Sequence, residues 1–178
     1  MCDACKTPWD NCPEFWAELA EKAPGVLATA RLIDALPGLM VTNAGDPSHD
    51  KDPQCWFVTW QLLPWAPNMP IYDHGPHRDA WISTEWLIWY ASDNWPKAGY
   101  DVEIEPWSPL VWSSARGTNA QFTIRAYTNR DTRRKALTPF EFDRMLIIFW
   151  NDYGHLELDW TKIPGIRDGI VESVSDAA

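Results

Sequence analysis

The sequence predicts an α+β fold: four to five mostly antiparallel strands with helices packed on one face, and a helical hairpin near the N-terminus. Three observations carry this. Cys55–Leu63, Tyr100–Glu105 and Gln121–Thr128 show two-residue alternation or β-rich composition, whereas 13–36 and 138–153 show helical periodicity. The two kinds of segment do not alternate regularly, which argues against a doubly wound parallel sheet. No internal repeat or linker interrupts the chain, so 1–178 reads as one globular domain. It comprises a Cys-rich segment 1–12, a helical hairpin 13–36, and a sheet with covering helices over 39–165.

In the first helix, Asn11 or Cys12 offers a cap, Pro13 suits the first turn, and Glu14 stands three residues after Asn11. Phe15, Trp16, Leu19 and Ala23 then share a face, and Pro24-Gly25 ends the helix. Val26 to Leu36 reads as a second helix stopped by Pro37-Gly38, and 43–54 as loop by composition. Both faces of Cys55–Leu63 are rather apolar, as in an inner strand. Ala80 to Ala91 suits a mostly buried helix better than a strand, although its Trp, Ile and Tyr content fits both.

Tyr100, Val102 and Ile104 alternate with Asp101, Glu103 and Glu105, giving a strand with one packed and one wet face. Leu110–Ser114 and Gln121–Thr128 read as a hairpin, with Phe122, Ile124 and Ala126 inward. Thr138-Pro139-Phe140-Glu141 is a capping box with Pro at the first helical position. The stripe Phe142, Met145, Leu146, Phe149 and Tyr153 follows, and Gly154 stops the helix. His155 to Trp160 alternates again, with Leu156, Leu158 and Trp160 inward.

Composition narrows the functional classes. A net charge of −10 disfavours nucleic acid and anionic membrane as partners, while permitting a basic partner or mimicry of nucleic acid. No export signal and no apolar run long enough for a membrane span is visible, so a cytoplasmic location with reduced cysteines is expected. Small, acidic, Trp-rich composition of this kind also occurs in phage and mobile-element proteins, for which a virion location is the companion expectation. Thirteen Trp, five Tyr and six Phe are the chain's anomaly. At about 200 Å² each they amount to about a quarter of the buried surface of a domain this size, so a core could absorb them. The competing expectation is that several Trp form a docking surface, because indoles dominate interface anchors.

The cysteines form the first chemical constellation. Cys2, Cys5 and Cys12 cluster at the N-terminus, and Cys55 begins the predicted inner strand. Two thiolates spaced C-x2-C can share one tetrahedral metal, so these four cysteines are candidate ligands of a structural zinc, with His49 as the alternative fourth. Half of a zinc signature is present and the second C-x2-C is absent; reduced thiols without metal explain the same residues. A loop, Asp73-His74-Gly75-Pro76-His77-Arg78-Asp79, gathers His and carboxylates without the helical spacing of a zinc protease. His155, Glu157 and Asp159 could meet Asp101, Glu103 and Glu105 as an acid–base set, although alternation on a wet sheet face explains them without function.

Arg130, Arg133, Arg134 and Lys135 form the one basic cluster, on the approach to the capping box, where an acidic patch or anion could dock. No nucleophile elbow, phosphate-binding loop or dinucleotide fingerprint occurs. The reading that follows is a non-enzymatic interaction protein, an assembly subunit or inhibitor, binding a protein partner or its own copies through an aromatic-rich surface. Trp65, Trp95 and Trp107 are the expected contact residues because they border irregular, Pro-rich stretches, together with the basic cluster. A small metal-assisted enzyme and an acidic nucleic-acid mimic are the alternatives.

Overall fold

Two antiparallel strand pairs, zipped together through their inner members, make the sheet. The structure is a computed structural model describing residues 13–47, 55–62, 76–89, 95–106, 121–127, 133–153, 158 and 162–163. Strand β1 (Leu39–Gly45) pairs with β2 (Cys55–Leu62), and β3 (Val102–Pro106) with β4 (Gln121–Tyr127). β2 and β4 pair in the middle, so the order is β1-β2-β4-β3 and every pairing is antiparallel. Helices α1 (Pro13–Lys22) and α2 (Leu27–Ala35) precede the sheet and form the expected hairpin. Helix α3 (Pro76–Trp89) and the single turn α4 (Trp95–Lys97) fall between the strand pairs in the chain, and α5 (Pro139–Tyr153) follows. The architecture is α+β.

Local chemistry sets several boundaries. The Thr138 capping box forms: the backbone N–H and hydroxyl of Thr138 donate to Glu141 Oε2 at 3.1 and 2.8 Å, and Glu141 N–H donates to Thr138 Oγ1 at 3.2 Å. Gly38 turns the chain from α2 into β1 with φ of 76°, a conformation that favours glycine. Asp46, buried beyond β1, accepts from Gly25 N–H at 2.9 Å and stitches the α1–α2 turn to the sheet. A Cβ at position 25 would meet that carboxylate at 2.9 Å, so the Asp46 side chain would have to shift to admit one.

β1 was not expected as a strand. Its register with β2 slips between Val41 and Asn43, so Thr42 is an extra residue and the two-residue period breaks midway. Asn43, Ala44 and Gly45 are poor strand formers held by pairing with Thr59, Val58 and Phe57. Part of the stretch read as loop by composition is therefore the outer strand of the sheet.

The core lies on the face of β2 that carries Trp56, Val58, Trp60 and Leu62, joined by Phe122, Ile124 and Ala126 of β4 and by Leu32 and Ile33 of α2. Both core indoles on β2 have acceptors. Trp56 Nε1 donates to the Leu137 carbonyl at 2.6 Å, and Trp60 Nε1 to Thr84 Oγ1 at 3.1 Å. Phe142 of α5 packs edge-on against Trp56, at 5.4 Å between ring centroids.

The opposite face pairs Cys55 with Tyr127, Phe57 with Arg125, and Thr59 with Thr123. The two threonine hydroxyls bond at 2.9 Å, and both residues are buried. This face holds Glu103 and Glu105 as expected, but Asp101 is a correction. It is buried, its carbonyl accepts from Tyr127 N–H at 2.9 Å, and its own N–H donates to the Lys135 carbonyl at 3.2 Å. Residues 110–114, 154–157, 159 and 160 lie outside the described residues, as do Asn11 and Cys12; Leu158 packs against the core.

Candidate partner-binding surface

Helix α3 inverts the usual distribution of side chains. Ser83 and Thr84 are fully buried and Leu87 nearly so, whereas Trp81 and Trp89 are 47% and 49% exposed and Glu85 between them is exposed. Residues 81, 85 and 89 follow the i, i+4, i+8 line of a helix, on the side away from Ser83, Thr84 and Leu87. The inward face is small and polar because it has specific acceptor and donor work. Thr84 receives the Trp60 indole N–H, and Ser83 Oγ donates to the Pro37 carbonyl at 2.9 Å. Short side chains there let the helix backbone approach the Trp60 ring closely.

At its C-terminal end α3 rests its rings on α5, against the buried Phe149. Trp86 and Trp89 meet edge-on at 5.7 Å, and Phe149 lies 5.1 Å from Trp86 and 5.5 Å from Trp89. Trp81, two turns earlier, packs edge-on to Phe122 at 6.3 Å. An indole presents roughly 250 Å², so the two half-exposed rings leave about 240 Å² in water. Scattered single apolar residues on a surface require no explanation; adjoining indoles on a helix that buries hydroxyls do.

Sequence reasoning placed contact residues elsewhere. Trp95 is expected outside because it borders an irregular, Pro-rich stretch, yet it is fully buried in α4 with its ring 4.7 Å from Phe142. The single helical turn of α4 sets the indole against Phe142 of α5. Trp65, Trp107 and Arg130 lie outside the described residues.

Arg133, Arg134 and Lys135 are exposed. Arg134 Nη1 donates to the Tyr100 carbonyl at 3.4 Å, and Lys135 Nζ sits 5.8 Å from the Tyr100 ring centre. The backbone of this segment is pinned by Lys135 N–H donating to the Gly99 carbonyl at 2.7 Å. The first amides of α5 are not an open anion site, since Thr138 and Glu141 cap them reciprocally.

The remaining candidates are separate from this surface. Cys55 is buried at the start of β2, and Cys2, Cys5, Cys12 and His49 lie outside the described residues. Among the described residues no three His, Cys, Asp or Glu gather to hold a metal. The side chains of Asp73 to Asp79, and of His155, Glu157 and Asp159, likewise lie outside the described set. Glu103 accepts from the Tyr127 hydroxyl and Glu105 pairs with Arg125 at 3.6 Å, so both carboxylates serve cross-strand contacts.

The Trp81–Glu85–Trp89 line was legible in principle. Once 80–91 is taken as helix, three exposed positions follow at four-residue spacing, with Ser83-Thr84 opposite. The expectation of a mostly buried helix concealed it. No helix among the described residues is long and apolar enough to cross a membrane. Compared with protein-family models, curated proteins and solved structures, the chain matches none.

Proposed function

We propose that this protein is a non-enzymatic interaction protein, an assembly subunit or inhibitor, that binds a protein partner through the outward indoles of α3. One observation carries the reading: α3 turns Ser83 and Thr84 inward and Trp81 and Trp89 outward. Covering the exposed indole area returns about 6 kcal/mol at ~25 cal/mol/Å². That is at the low edge of the roughly 4–15 kcal/mol lost on association. The rings therefore act as the central anchors of a larger contact, whose remaining area comes from their surroundings.

The test is a benzophenone amino acid in place of Ile82, which lies on the same helix between Trp81 and Trp86 in angle. Irradiation in the source cells is expected to give one dominant protein adduct, with a second copy or with another protein. The double variant Trp81→Gln, Trp89→Gln in the same chain is expected to remove it. An adduct that survives both substitutions, or none at all, overturns the assignment.

A further inference from the structure

We infer that the occupant of the α3 surface is a second copy of this chain, seated head to tail, with Arg133, Arg134 and Lys135 of one protomer against Trp89, Glu85 and Asp152 of its partner. The inference rests on the proposed docking role of α3 and goes beyond it by naming the partner. Two surfaces of opposite chemistry on the same molecule carry it. At one, the half-exposed Trp89, packed on Trp86 and on the buried Phe149, is flanked by Glu85, exposed on α3, and by Asp152, exposed on α5 three residues beyond Phe149. At the other, Arg133, Arg134 and Lys135 are consecutive and exposed beside Tyr100. Guanidinium and ammonium groups bind indole faces, and adjacent carboxylates add an ion pair to each such contact.

Geometry prevents the two surfaces from meeting within one chain. They belong to opposite ends of α5: the basic segment precedes Thr138, and Phe149 lies eleven residues later. At 1.5 Å per residue that is about 16 Å along the axis. The basic segment is also held in place, by Lys135 N–H on Gly99 and Asp101 N–H on Lys135. A neighbouring copy displaced along the α5 direction can bring them together. Because the two contacting surfaces differ, the interface is heterologous, and each protomer keeps one unfilled surface that can add another copy. The charged flanks supply the area and the ordering that the indoles alone lack, and they make the contact sensitive to salt.

Sedimentation velocity of the full chain tests this with three proteins. Wild type is expected to show a weight-average mass that rises with concentration and falls as salt increases from about 50 to about 500 mM. Trp89→Glu alone, and the triple variant Arg133→Glu, Arg134→Glu, Lys135→Glu alone, are each expected to stay monomeric. Mixed, they are expected to form a 1:1 dimer that grows no further, because each supplies the surface the other lacks. Circular dichroism confirms that both are folded, and Glu85→Lys with Asp152→Lys replaces Trp89→Glu if that variant is not. Self-association lost in Trp89→Glu but intact in the triple variant overturns the inference in favour of a symmetric α3–α3 contact. A wild type that is monomeric at about 1 mM and low salt overturns it outright. If the Ile82 cross-linker still captures another protein in that case, the docking role of α3 stands and only the identity of the partner falls.

Discussion

Helices α3 and α5 cover the same sheet face and solve the problem in opposite ways. α5 follows the standard amphipathic rule: Phe142, Leu146, Ile147, Phe149 and Trp150 are buried, and Arg144 and Asp152 are exposed. α3 meets the sheet with Ser83, Thr84 and Leu87 and gives its largest rings to the outside. The difference teaches that an indole's fate depends on which way its element turns it: Trp56 and Trp60 stand on the core face of β2, whereas Trp81 and Trp89 lie on the side of α3 turned from Ser83, Thr84 and Leu87. One helix is built for stability. The other sacrifices apolar burial at its core face and keeps a sticky exterior, a combination that folding by itself does not require.

Substitutions graded by size sharpen this comparison. Phe142→Ala on α5 is expected to cost about 3–5 kcal/mol in urea unfolding, because the ring packs on both Trp56 and Trp95. A cost below about 1 kcal/mol would show that α5 is not the stabilising helix. Thr84→Val on α3 is expected to cost about 1–3 kcal/mol although it adds an apolar methyl, because Trp60 Nε1 loses its acceptor. An unchanged or raised midpoint for that variant would mean the hydroxyl is incidental and the inversion accidental. Thr138→Ala is expected to cost about 1 kcal/mol through loss of the reciprocal cap on α5. Glu141→Gln should lose less, since an amide can still accept from Thr138 N–H.

A modest stability effect belongs to the most informative pair. Trp81→Gln and Trp89→Gln are each expected to cost about 1–2 kcal/mol, less than Phe142→Ala, since half of each ring is already in water. A loss as large as that of Phe142→Ala would reassign the α3 indoles to the core and end the docking role. Small loss of stability together with loss of association is the signature that separates the two helices.

The exposed ion pair of Lys22 with Glu18 raises the Lys22 pKa through the hydrogen bond and charge of that carboxylate. The sign follows directly. A raised ammonium pKa adds stability below the unfolded value, and this is lost as pH climbs through the folded one. The pair is exposed on α1, so the effect at high alkaline pH is expected to be the least of all and to vanish in high salt.

What was legible in the sequence shares a property: its cause is local. The Thr138–Glu141 cap lies within four residues, the two apolar faces of β2 follow from its own alternation, and the α1–α2 hairpin is bounded by its own prolines and glycines. Contacts between distant segments were not legible. β1 is a strand because β2 accepts its slipped register, not because Thr42-Asn43-Ala44-Gly45 favours extension. Trp95 is buried because Phe142, far along the chain, lies above it, and Asp101 because Tyr127 and Lys135 close over its backbone.

The sequence by itself determined where α1, α2 and α5 begin, which strand lies inside, and that aromatic surface is in excess. Only the tertiary structure decided which indoles face water, since rotating α3 about its axis changes the solvent exposure of every ring while leaving periodicity and composition untouched. The rotation is set by two long-range hydrogen bonds, Trp60 to Thr84 and Ser83 to Pro37, that no local pattern encodes.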